Sequence, residues 1–310
     1  MKYVKGFTFG FMTGAGKYAD EASKQSLKLM KEKTASDTVI LALSALQDTA
    51  HSEYVDYKGS HMPTDDEVRE IISYAQELGL RVFLKPLVNC RNGVWRAHIN
   101  FFDVDVPCEP KWSNWFESYT DYQLHYAEIA EETGCEMFII GCEMVQAQRK
   151  SDYWRGLIKK VREKYRGLIS YNTDKYQEEH VDWWDAVDVI SSSGYYPIND
   201  WDKQLQRIKK AIEPYNKPFF FAESGCPSRT GSPMVPNDWT LKGTVNLKEQ
   251  ENYYKTMFER LTEENWIRGF GLWDWPSHLY EEKDGASDNG YAVYGKPACE
   301  VIYSFYSSIK

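Results

Sequence analysis

The sequence is short of positive charge, has few cysteines and holds no long apolar run, and each shortage closes off a class of function. Lysine and arginine number 37 against 46 aspartates and glutamates, for a formal net charge of −9. That balance argues against a phosphate-backbone partner, so no nucleic acid is expected. No apolar run approaches a membrane span, and the N-terminus lacks the basic-then-apolar layout of a signal peptide, so no membrane partner is expected either. The cysteines (Cys90, Cys108, Cys135, Cys142, Cys226 and Cys299) contain no C-x-x-C pair, and there is no N-x-S/T sequon. A reducing cytoplasm is the expected location. Several chemical signatures are missing as well. There is no H-x-H at the end of the first strand, no H-E-x-x-H and no G-x-S-x-G. Gly10–Tyr18 fails the spacing of a phosphate loop, and the acidic turn Asp284–Gly290 does not match a calcium loop. No metal site and no cofactor are expected.

What the chain does have is aromatic side chains, at 15% of its 310 residues. Many fall in loops beside Asn, Asp, Gln and His. Apolar rings next to hydrogen-bonding groups suit sugars, which offer a C–H face and a hydroxyl rim.

Short runs rich in β-branched and aromatic residues recur along the chain: Lys5–Phe11, Thr38–Ala45, Arg81–Val88, Met137–Cys142, Leu168–Asn172, Val187–Ser192, Phe219–Ala222 and Gly269–Trp273. Stretches of helical period separate them: Asp20–Lys33, Thr64–Leu78, Trp112–Thr133, Ser151–Tyr165, Trp201–Ile212 and Leu247–Glu264, with Pro297–Ser308 closing the chain. Thr173–Ala186 carries the weakest helical pattern. Thr64 and Glu67 read as a capping box, and Gly79 and Gly134 as helix stops. Strand–helix alternation implies parallel β-α units, and eight of them predict an α/β fold, the (β/α)8 TIM barrel. No linker or repeat divides the chain, so residues 1–310 are read as one catalytic domain, and the protein as a monomer. The long connections, Asn89–Lys111, Ser224–Asn246 and Asp274–Lys296, all leave the C-terminal ends of strands, where barrel active sites are built.

Two glutamates stand out. Phe138-Ile-Ile-Gly-Cys-Glu143 and Phe219-Phe-Phe-Ala-Glu223 are apolar runs that each deliver one carboxylate to a strand's C-terminal end. Either alone caps a strand or pairs with a cation as readily as it catalyses. On strands four and seven they face each other across one mouth. Paired carboxylates in a polar cleft are what glycoside hydrolysis requires, one to protonate the leaving oxygen and one to attack or to activate water.

These residues resemble the acid/base and nucleophile of the clan A retaining glycoside hydrolases. More narrowly, Lys5-Gly-Phe-Thr-Phe-Gly10, Ile139-Ile-Gly-Cys-Glu143, Phe221-Ala-Glu-Ser-Gly225 and Trp273-Asp-Trp275 resemble glycoside hydrolase family 113 over essentially the whole chain. The resemblance implies an eightfold barrel, retention and β-1,4-mannan or manno-oligosaccharides as substrate, with no metal or organic cofactor. It makes Glu143 the acid/base and Glu223 the nucleophile. The wider clan has Asn before the acid/base, where Cys142 stands here, so another group must read the sugar's 2-hydroxyl. A hydrolase of xylan or glucan, a non-catalytic carbohydrate-binding barrel and a metal-dependent barrel hydrolase are the rival readings.

Strand ends place the other candidates. Trp273 is read as a stacking floor beneath the sugar. One of Tyr195 and Tyr196 is expected to bond the nucleophile, with Tyr196 favoured. Lys85, Asn89 and Asn172 are candidates for binding hydroxyls, and Trp95, Trp239 and Trp275 for walls of neighbouring subsites. Lys85, Asn89, Asn172, Trp95, Trp239 and Trp275 serve packing or a structural hydrogen bond equally well; for Trp273 the alternative is packing at the barrel mouth, and for the tyrosines a turn anchored by Pro197.

Overall fold

Every residue of the ten-residue stretch Thr38–Gln47 is buried, as befits a strand covered on both faces in a parallel sheet. In the computed structural model, which describes residues 1–309, this is β2 of eight strands. They are β1 (Val4–Phe9), β2 (Thr38–Gln47), β3 (Arg81–Cys90), β4 (Met137–Cys142), β5 (Leu168–Thr173), β6 (Val189–Ser193), β7 (Phe219–Glu223) and β8 (Ile267–Trp275). Each pairs in parallel with its successor, and β8 returns to β1 to close the barrel. The helices are α1 (Glu21–Thr34), α2 (Asp65–Glu77), α3 (Trp112–Glu132), α4 (Ser151–Lys164), α5 (Trp201–Ile212), α6 (Leu247–Thr262) and α7 (Pro297–Ser308). The expected (β/α)8 architecture is present.

Alternation along the strands divides two cores. Val4, Ile40, Phe83, Met137, Ile139, Val189, Phe220 and Ala222 pack together as the barrel's interior plug. A smaller layer of Ala42, Leu87 and Cys142 packs together with Phe11. The alternate residues join the helices in the larger outer core. At the start of α2 the capping box is complete: Glu67 N–H donates to Thr64 Oγ1, and Thr64 N–H donates to Glu67 Oε2. Gly79 and Gly134 take positive φ, as helix stops do.

The stretch between β5 and β6 is not a helix. It makes two 3₁₀ turns, Glu178–His180 and Trp184–Ala186. Two buried indoles hold this irregular path. Trp183 stacks on Trp154 of α4 at 5.1 Å and donates to the Gln148 carbonyl, while Trp184 donates to the Glu178 carbonyl. In the acidic turn, Asp288 pairs with Lys296 at 2.6 Å. Among the described residues, no helix is long and apolar enough to cross a membrane.

Candidate active site

The two glutamates reach the mouth by different backbone devices. On β4 the register shifts between Ile139 and Cys142. Gly141 there faces Trp154 and Tyr171, where an added Cβ would come within 3.0 Å of both rings. The shift turns the Cys142 side chain into the barrel beside Ala42 and Leu87. Glu143 follows in the left-handed region, with φ of 52°, a conformation that costs a residue with a side chain about 1–3 kcal/mol. Its N–H is tied to the Asn172 carbonyl at 2.7 Å. Strand β7 ends on Glu223, and its Glu-Ser-Gly sequence has a steric cause. A Cβ at Gly225 would lie 2.4 Å from the Trp273 carbonyl oxygen, so only glycine lets β8 approach this closely.

Glu223 is buried among donors. Lys85 Nζ donates to Oε1 at 2.7 Å, the Cys142 thiol donates to the same oxygen at 3.2 Å, and the Tyr195 hydroxyl donates to Oε2 at 3.1 Å. Burial acts to raise the carboxyl's pKa. The Lys85 ammonium and then the Arg96 guanidinium outweigh it and hold Glu223 below its ordinary value. The thiol behaves in the opposite way, since burial and the Glu223 charge push it well up. Cys142 therefore keeps its proton and donates it.

Glu143 has its own set of partners. Ser193 donates to Oε1 at 2.8 Å, and Trp95 Nε1 and Arg96 donate to Oε2 at 3.2 and 3.3 Å. Arg96 also donates to the Cys142 carbonyl and to Asn89 Oδ1. Asp174, just past β5, is pushed up to about 8 by burial and then by the Glu143 charge, against the opposing pull of Lys175.

One oxygen from each glutamate and the Cys142 sulfur lie within 4.8 Å of one another. That close approach is nearer to the carboxyl separation of retaining glycosidases, about 5–5.5 Å, than to the roughly 6.5–9.5 Å of inverting ones. Among the described residues this trio is also the one group of three donors close enough for a metal ion. Lys85 and Arg96 already neutralise its carboxylates, which disfavours a cation there.

The other predicted residues divide. Trp273 is 2% exposed, lies edge-on to Phe11 at 4.8 Å, and leaves its indole N–H unpartnered. Trp95 and Trp239 stand open at the mouth, 42% and 61% exposed. Asn89 borders the same space, with its amide nitrogen against only the Met12 sulfur. Lys85 and Asn172 are fully buried. Lys85 meets Glu223, and Asn172 donates to Ser193 Oγ at 3.0 Å, one step behind Glu143. Two expectations need correction. Tyr195, not Tyr196, bonds Glu223, because the strand alternation turns Tyr196 outward, where its hydroxyl donates to Glu178 at 2.7 Å. Trp275 walls no subsite: it is buried against Phe7 and Tyr294, and its indole nitrogen donates to Ser26. Arg96 and Ser193 are contacts that the sequence did not single out. Arg96 lies in a long aperiodic loop. Ser193, one residue past the expected end of strand six, carried no signal beyond its place beside the tyrosines.

The comparisons with known proteins bear on this site. The model of the family described as Glycoside Hydrolase Family 113 matches residues 7–296. A solved structure described as a complex of a GH113 β-1,4-mannanase is 61% identical to this chain, covering 99% of it and 100% of that chain, with a TM-score of 0.98. The GH113 β-mannanase AaManA from Alicyclobacillus acidocaldarius, in complex with ManMIm, is 40% identical over 100% of this chain and 99% of its own, with a TM-score of 0.96. A β-glucuronidase from Bifidobacterium dentium, at 13% identity and a TM-score of 0.66, shares the fold alone. A comparison with curated proteins finds no match.

Proposed function

We propose, from the premise that this chain belongs to glycoside hydrolase family 113, that it cleaves β-1,4-mannosidic bonds in mannan or manno-oligosaccharides by double displacement. The observation that carries this reading is the close approach of Glu143 and Glu223 at the ends of β4 and β7. The relatives described as β-1,4-mannanases, at 61% and 40% identity, support the substrate class.

In the first step Glu143, having taken up a proton before the sugar reacts, gives it to the departing oxygen as Glu223 attacks the anomeric carbon. The bond to the leaving sugar breaks as the bond to Glu223 Oε forms. In the second step Glu143 takes a proton from water, which displaces Glu223 and restores the starting configuration. Lys85, Cys142 and Tyr195 keep the nucleophile ionised and aimed. Ser193, Trp95 and Arg96 orient the acid/base. Trp273 lies beneath the reacting sugar, while Trp95 and Trp239 flank the cleft for neighbouring units. The chain acts as one catalytic domain.

Kinetics on mannan, manno-oligosaccharides and xylan test the substrate, and NMR of the first-formed product anomer tests retention. A kcat/KM on mannan well above that on xylan, with a β-configured first product, is expected. Equal rates on xylan refute the specificity, and an α-configured first product refutes the mechanism.

A further inference from the structure

Each catalytic carboxylate takes one of its hydrogen bonds from a single short segment, at the end of β6. Ser193 donates to Glu143 and Tyr195 donates to Glu223. In an extended segment the alternate residues point the other way, and here Ser192 and Tyr196 turn out of the barrel. Both outward hydroxyls meet one group. Glu178 Oε1 accepts from Ser192 Oγ at 2.6 Å and from Tyr196 OH at 2.7 Å. The Glu178 side chain is fully buried, and Oε2 is paired with Arg207 of α5 at 2.7 Å. The segment is tied at two further points: Tyr253 of α6 donates to the Tyr196 carbonyl, and Ser224 to that of Gly194.

Burying a carboxylate is costly unless it is paired and fully hydrogen-bonded. Glu178 meets both conditions, in the one β-α interval that lacks an α-helix. Its acceptor oxygen imposes direction on two hydroxyls, which apolar packing in the same space would not do.

We propose that Glu178 is a positioning residue for both catalytic carboxylates: by clamping Ser192 and Tyr196 outside the barrel, it sets where Ser193 and Tyr195 present their hydroxyls inside it. The inference rests on the reading of Glu143 and Glu223 as the catalytic pair.

The test compares Glu178→Gln and Tyr196→Phe with a control, Arg155→Met, which breaks the Arg155–Asp185 pair bordering the same β5–β6 interval. Both test variants should lower kcat about 10- to 100-fold with KM within about twofold, because misplacing reacting groups by up to about 1 Å costs up to about 100-fold. Both should also move the acid limb of kcat/KM to higher pH, since a loosened Tyr195 stabilises the Glu223 anion less. Arg155→Met should change thermal stability at most. Folded test variants with the wild-type kcat and acid limb overturn the proposal, whatever happens to the melting temperature. If Glu178→Gln does not fold, Tyr196→Phe decides. If the wild-type protein cleaves no β-mannoside, the functional reading fails by itself. The clamp is then judged by NMR titration of the Glu223 carboxyl, and an unshifted midpoint in Tyr196→Phe overturns it.

Discussion

Lys85 and Glu223 are 138 residues apart in the chain and form an ion pair of 2.7 Å with both side chains buried. Neither charge would be tolerable there alone. Strand β3 contributes the cation from the inner face of the barrel, and β7 the anion, so closure of the sheet brings them together.

Lys85→Met removes the main charge that holds Glu223 ionised. In the native site the Glu223 pKa lies below its ordinary value because Lys85 and then Arg96 outweigh burial. Its contribution to stability is therefore present above the unfolded-state value and lost as pH falls through the lower folded value. Without Lys85, burial dominates and the folded value rises. The acid limb of kcat/KM should move to higher pH, with a loss of about 100-fold or more at neutral pH. An unmoved limb in the folded variant contradicts this account of Glu223.

Glu143→Gln and Glu223→Gln should each cost about 10³-fold or more in kcat on manno-oligosaccharides, yet differ on activated substrates. A good leaving group needs little protonation, so Glu143→Gln should still form the glycosyl-enzyme and accumulate it. Glu223→Gln should form none. Intact-mass analysis after a pulse of fluorosugar reads this directly, and a label on any residue other than Glu223 reverses the assignment.

Three tryptophans should respond in three ways. Trp239→Ala, at an exposed position, should raise KM by about 3- to 10-fold with kcat and melting temperature nearly unchanged, as expected for loss of a stacking surface. Trp273→Ala should change kcat and KM together, because a floor under the reacting sugar both binds and orients it. Trp275→Ala should lower stability by about 3–5 kcal/mol through its buried cavity, with KM unchanged at temperatures where it remains folded. Denaturant unfolding and steady-state kinetics on the three variants separate these outcomes.

Asp174 supplies a pH-dependent stability test. Its carboxyl is pushed from 3.8 up to about 8, by burial and then by Glu143. A raised folded value means the folded state binds the proton more tightly, so the stabilisation is fully present below about 3.8 and lost as pH rises through about 8. Asp174→Asn should therefore match the wild type at low pH and exceed it in melting temperature increasingly toward pH 8. A constant difference across that range contradicts the shift.

Local sequence determined a great deal here. Apolar runs of strand length alternating with 3.6-period stretches are local properties, and they placed the strands and helices to within a few residues. The same signal put Glu143 and Glu223 at strand ends, because a single carboxylate after an apolar run is visible without any partner. Which tyrosine meets Glu223 was not visible, since Tyr195 and Tyr196 are chemically identical neighbours and only the phase of β6 against Glu178 separates them. The loop containing Arg96 has no period, and Trp275 reads like Trp273 until the barrel shows which of the two faces Ser26. The roles of Cys142 and Lys85 were settled at the same level. A register shift on β4 turns the thiol inward, and the closed sheet sets an ammonium from β3 against a carboxylate from β7. Those contacts join residues far apart in the chain, and their geometry exists only once the barrel has closed.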